Sequence, residues 1–104
     1  MATAQANKIC DLNDAFRRSG FGVMTTAGVR GLDDLAGLMR AVRMFDKFTE
    51  DNDPYGEHDF GSIIWCDETV LWKIDYYDQA LRGWEDPVSR DCRRIITVML
   101  VSEY

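Results

Sequence analysis

The chain has 104 residues, a net charge of −6, and is 46% apolar, 12% aromatic and 29% charged. That is a globular mixture sized for a single domain over residues 1–104, not a disordered or fibrous chain. The acidic balance excludes a general nucleic-acid binder, which needs a basic face; no apolar run reaches the roughly 20 residues of a membrane span.

The first predicted element is a helix over 4–18. Ile9, Leu12 and Phe16 recur at helical spacing, Arg17 and Arg18 suit the negative end of the helix dipole, and Gly20 is a natural stop. Phe21–Thr26, bounded by glycines, reads as a strand. A second helix is predicted over 32–48. Leu32, Leu35, Leu38, Met39, Val42, Phe45 and Phe48 fall on one stripe, with Asp33 and Asp34 at its start and basic residues toward its end. Pro54 and Gly56 interrupt regular structure in the polar segment 49–59. Phe60–Trp65 and Val70–Tyr77 then read as a β-hairpin around Cys66–Thr69. Residues 78–91 read as a loop. The last strand, 92–103, is apolar on both alternating faces, which places it at the centre of a sheet.

The order α-β-α-β-β-β predicts an α+β fold. Its simplest form is a four-stranded, mainly antiparallel sheet with two helices packed on one face. The stripe of the second helix is expected to bury Trp72, Ile74 and the final strand.

Charge is unevenly spread. Residues 46–91 hold thirteen acidic and four basic side chains. Carboxylates gathered on one side of a compact body form a docking surface for a basic partner, or imitate a phosphate backbone. Asp51, Asp53, Glu57, Asp59, Asp75 and Asp78 are the candidate partner-binding acids, with Tyr55, Tyr76 and Tyr77 as aromatic anchors. The expected partner is a protein with a basic, nucleic-acid-binding surface. Direct nucleic-acid binding and membrane insertion are not expected, and the chain is either a monomer or a homodimer joined through the hairpin or an edge strand.

The segment Asp51–Asp59 offers an alternative, a metal-dependent or acid–base enzyme. Asp51, Asp53 and Gly56 match positions one, three and six of a calcium loop, but Tyr55 and Ser62 break the pattern. Asp51, Asp53, Glu57, His58 and Asp59 are weak metal candidates. His58 is the single histidine, and as a base it needs a nucleophile such as Cys66 or Ser62 within reach. No catalytic residue and no cofactor is assigned. Cys10, Cys66 and Cys92 are odd in number and widely spaced, and the N-terminus lacks a secretory pattern. Both point to the cytoplasm, with the thiols acting as small hydrophobes.

The strings NDAFRR (13–18), RMFDKFTEDNDPYGEHDFG (43–61), WKIDYYD (72–78) and ITVMLVSEY (96–104) resemble an uncharacterised bacterial domain family. The DNDPxGEHDFG and WKIDYYD strings are the most specific. The family is typical of plasmids and mobile elements and carries no established activity, so no catalytic residue transfers. The resemblance implies a role in conflict between element and host. In that setting the chain is expected to inhibit a nucleic-acid-guided defence complex, as a small acidic anti-CRISPR-like protein does.

Overall fold

A computed structural model describes residues 3–104. Its elements are α1 (Ala4–Ser19), β1 (Val23–Thr25), α2 (Ala27–Arg30), α3 (Leu35–Arg43), β2 (Phe60–Trp65), β3 (Glu68–Tyr77), β4 (Arg93–Leu100) and a 3-10 turn (Val101–Glu103). The strands form one sheet in the order β1-β4-β3-β2. β2–β3 and β3–β4 are antiparallel, whereas β1 runs parallel to β4. The fold is therefore α+β with a mixed sheet. β4 is an inner strand, as its two apolar faces required.

Local chemistry explains the element ends. Thr3 caps α1 by accepting from the Ala6 N–H at 3.0 Å, and Gly20 closes the helix with φ +77°. Asp34 caps α3 by accepting from the Gly37 N–H at 3.0 Å. The β2–β3 hairpin turns on two residues only, Cys66 and Asp67, both with positive φ. This tight turn extends β3 back to Glu68, two residues earlier than the apolar run suggested.

Three expectations need correction. The predicted helix over 32–48 is shorter, covering Leu35–Arg43, and a separate turn of helix, α2, precedes it. The apolar stripe nevertheless packs as a unit: Leu38, Val42 and Phe45 are buried, and Leu32, Leu35, Met39 and Phe48 pack against them. The chain leaves the helix at Met44. This lets Phe45 and Phe48 meet edge to face at 5.0 Å, and lets Arg17 Nη2 donate to the Phe45 carbonyl at 3.0 Å. Tertiary contacts here outweigh helix propensity. Second, the inward face of α1 is Ala6, Ile9, Asn13 and Arg17, whereas Leu12 is 38% exposed. Two polar residues occupy the stripe where Leu12 and Phe16 were expected to lead. Third, the final strand ends at Leu100, and Glu103 folds back to accept from Thr26 Oγ1 at 2.6 Å and the Leu100 N–H at 2.8 Å.

The core lies between the helices and one sheet face. Val70, Trp72 and Ile74 of β3 and Ile96 and Val98 of β4 meet Val29, Leu38, Val42 and Phe45. Trp72 has no exposed surface. Its indole leaves room for nothing larger than glycine at position 61, where a Cβ would stand 2.5 Å from Trp72 Nε1. Strand alternation sets Tyr76 on this helix side, and Lys73, Asp75 and Tyr77 on the opposite face.

Candidate functional site

Two places among the described residues concentrate polar chemistry. The first joins α1 to the 51–59 loop. Cys10 and Asp14 lie one turn apart on α1, which directs both toward His58. His58 Nδ1 donates to the Asp14 carboxylate at 2.9 Å, and Cys10 Sγ lies 3.1 Å from the same nitrogen. Cys10 also donates to Asp14 Oδ2 at 3.7 Å. The other ring nitrogen, Nε2, stands 3.6 Å from Asp53 Oδ2. Phe48 stacks on the imidazole at 3.7 Å, with planes 5° apart. His58 holds this pose with φ +56°.

Asp53 organises the loop. Its side chain is 6% exposed, and Oδ1 accepts the N–H groups of Glu57 at 3.2 Å and His58 at 3.3 Å. Asn13 secures the loop from below, donating to the Glu57 carbonyl at 3.0 Å and to Tyr76 Oη at 2.9 Å. Arg94 donates to Asn13 Oδ1 at 2.6 Å and lies over the Tyr76 ring at 5.3 Å.

Titration follows this geometry. Burial alone would raise the Asp14 carboxyl, but hydrogen bonds from His58 and Arg17 outweigh it and hold Asp14 below the usual range. Burial, reinforced by Asp14, pushes the Cys10 thiol up to about 11. Cys10 is therefore a thiol at neutral pH and lacks the thiolate character of a cysteine nucleophile. Burial pushes the Tyr76 hydroxyl up to about 12.

The second place is an acidic–aromatic cleft on the far side of the loop. Asp59, Asp75, Tyr77 and Trp84 line a hollow of about 340 Å³. Trp84 reaches it because its backbone bridges to Tyr77 as a short antiparallel extension of β3, closed by Asp78 and Gly83. The indole remains 71% exposed. Asp75 pairs with Lys73 at 2.9 Å. Asp59 is half-buried, with its carbonyl accepting from the Ile74 N–H. Burial, with the charges of Asp53 and Asp75, pushes its carboxyl above the usual range.

A raised carboxyl pKa means that ionised Asp59 opposes folding. The opposition is absent below the unfolded value of 3.8 and complete above the raised folded value. Asp59→Asn is therefore expected to raise the melting temperature at pH 7, with the gain vanishing below about pH 4. Thermal melts of both proteins across that range check it; equal stabilities at pH 7 would contradict it.

The remaining candidates fall in different settings. Asp51 and Tyr55 are exposed, Glu57 is half-buried, and the Asp78 carboxylate accepts from the Arg82 N–H within its own turn. Asp53 is turned inward, and Tyr76 lines the hollow while its hydroxyl meets Asn13. Cys66 sits exposed at the hairpin tip, beside the Asp33 carbonyl, and Ser62 lies on the opposite sheet face from Gly61 and Trp72. The thiol beside His58 is Cys10, so neither Cys66 nor Ser62 serves it. Cys10, Asp14 and Trp84 were not singled out from sequence. Cys10 and Asp14 carry a legible signal, since their i, i+4 spacing flanks the inward stripe. Trp84 carries none, because its place depends on a bridge formed by a loop.

Residues 25–103 match a family model described as Protein of unknown function (DUF3768). No curated protein and no solved structure matches the chain. The matched span holds α2, α3, the 51–59 loop and strands β2 to β4, and begins at Thr25, the last residue of β1.

Proposed function

The chain belongs to the DUF3768 family, and we propose that it is a non-enzymatic binding protein that docks a basic surface of another protein. The observation that carries this reading is Trp84, a largely exposed indole in the wall of a cleft rimmed by Asp59 and Asp75. Exposed tryptophan beside carboxylates is suited to arginine or lysine. The ring face attracts the cation and the carboxylates pair with it. Tyr77 supplies a second aromatic wall.

The surrounding field supports the same reading. Among the described residues, Asp53 and Asp75 are the acids of segment 46–91 that sit within ion-pair distance of a basic group. Exposed carboxylates without a basic partner, such as Asp51, act outward, and such a field speeds the approach of a basic partner. The proposed partner is a nucleic-acid-binding complex of host defence, met in the cytoplasm. The setting is that of a bacterial mobile element, which the DNDPxGEHDFG and WKIDYYD strings suggest. Asp59, Asp75, Tyr77 and Trp84 form the centre of the interface, with Asp51, Tyr55, Glu57 and Asp78 around it.

Affinity capture from the native host tests this with three baits: the wild-type protein, Trp84→Ala and Asp75→Lys. The expected result is a basic protein retained by wild type at low salt and released as salt rises. Trp84→Ala weakens its binding by about 30-fold or more, the loss of a central aromatic anchor. Equal retention by all three baits, unaffected by salt, would overturn the proposal.

A further inference from the structure

We propose that Cys10, Asp14 and His58 form a binding site for a zinc-class divalent cation. The site is independent of the docking cleft. Its three donor atoms, Cys10 Sγ, one Asp14 carboxylate oxygen and one His58 ring nitrogen, lie within 4.8 Å of one another. Thiolate sulfur, imidazole nitrogen and carboxylate oxygen are the donors that Zn²⁺ takes in tetrahedral sites. A hard cation such as Ca²⁺ or Mg²⁺ would not choose this set.

The separations are close to those a metal would impose. Tetrahedral zinc sets sulfur and nitrogen ligands about 3.6 Å apart, and nitrogen and oxygen ligands about 3.3 Å apart. Here Sγ–Nδ1 is 3.1 Å and Nδ1–Oδ1 is 2.9 Å. A retreat of a few tenths of an ångström by the ring therefore opens the site. Cys10 and Asp14 are carried on one rigid helix of 16 residues, which spaces two of the ligands before any metal arrives.

The outer contacts approach the pattern seen at zinc sites, with the histidine–carboxylate separation still longer than a hydrogen bond. When a metal takes one histidine nitrogen, the other usually donates to a carboxylate, which sets the ring's tautomer and orientation. His58 Nε2 faces Asp53 Oδ2 at 3.6 Å, and Asp53 is itself held by the Glu57 and His58 amides. Phe48 stacked on the ring limits its rotation. Binding releases the Cys10 thiol proton to solvent, and the ring proton passes from Nδ1 to Nε2, opposite Asp53. All three ligands are half-buried rather than sealed, so a fourth position remains open to water.

Cobalt substitution tests the site directly. Co²⁺ titrated into the reduced protein is expected to give a thiolate-to-cobalt charge-transfer band together with tetrahedral d–d absorption. Zn²⁺ should abolish both and raise the melting temperature. Cys10→Ser should remove the charge-transfer band, while Cys66→Ser and Cys92→Ser leave it intact. Asp53→Asn should keep the band but weaken affinity about 10–100-fold, as loss of an outer contact does. Absence of the band in the wild type, its survival in Cys10→Ser, or its loss in Cys66→Ser would each overturn the assignment. Trp84→Ala leaves the band unchanged, so failure of the docking reading and failure of this one are distinguishable.

Discussion

Trp72→Ala is expected to lower the free energy of unfolding by about 3–5 kcal/mol, measured by urea denaturation. Trp72 is the largest fully buried side chain, and several elements meet on it. Phe45 packs edge to face at 5.4 Å and Phe48 at 6.1 Å, the Arg17 guanidinium lies 5.1 Å above the ring, and Gly61 of β2 closes the lower side. Removing the indole leaves a cavity among groups from α1, the segment that follows α3, and β2, none of which can collapse into it alone. A domain of this size has only about 5–15 kcal/mol in total, so the variant is expected at the margin of folding. Trp72→Phe should cost well under half as much. The indole Nε1 has no hydrogen-bond acceptor among the described residues, so phenylalanine removes a buried unpaired donor together with the lost area. A Trp72→Ala loss below about 1 kcal/mol would show that the helices hold the sheet without it.

Arg17→Ala is expected to have the second largest effect, again about 3–5 kcal/mol, as for removing one partner of a buried charge network. The guanidinium is 1% exposed on the inward face of α1. It donates to Asp14 at 3.0 Å and to the Phe45 carbonyl at 3.0 Å, and lies over the rings of Trp72 and Phe48. Alanine leaves that carbonyl without its donor, Asp14 without a cation, and space against two aromatic rings. Asp14 keeps some contact with water at 17% exposure, which sets the expectation toward the lower part of the range. Arg17→Lys should recover little. An ammonium cannot reach Asp14 and the Phe45 carbonyl with a planar fork while lying flat on the rings. Urea denaturation of the two variants checks the order; full rescue by lysine would mean that charge alone, not the fork, matters at this position.

The two experiments probe different levels of legibility. Trp72 was readable: Val70, Trp72, Ile74 and Tyr76 alternate along one face of a strand, and such a pattern reports burial directly. Arg17 was not. Its charge and its position near the helix end gave it a dipole role at the surface, and its neighbour Arg18 does sit there, exposed. What placed Arg17 inside was the Phe45 carbonyl, freed when the chain left α3 at Met44. Similarly, the stripe Leu32–Phe48 told which residues are buried but not that the helix ends midway along it.

The chosen acidic residues divide in the same way. Asp59, Asp75 and Tyr77 share the cleft. Asp53 is turned to the interior, where it organises loop amides, whereas Tyr76 also lines the hollow while its hydroxyl meets Asn13. Trp84 has no periodic context in the loop 78–91.

Composition and periodicity alone determined the α+β class, the approximate element order, the hairpin, the inner place of the last strand and the apolar core residues of the second helical stripe and of β3. Burial of apolar surface is non-directional, so a repeating pattern suffices to encode it. Tertiary structure alone decided the parallel pairing of β1 with β4, the junction of Cys10, Asp14 and His58, and the station of Trp84. Polar contacts demand particular partners at particular distances, and here those partners are as much as 81 residues apart, as in Arg94 and Asn13. No local pattern records which distant group will stand within 3 Å.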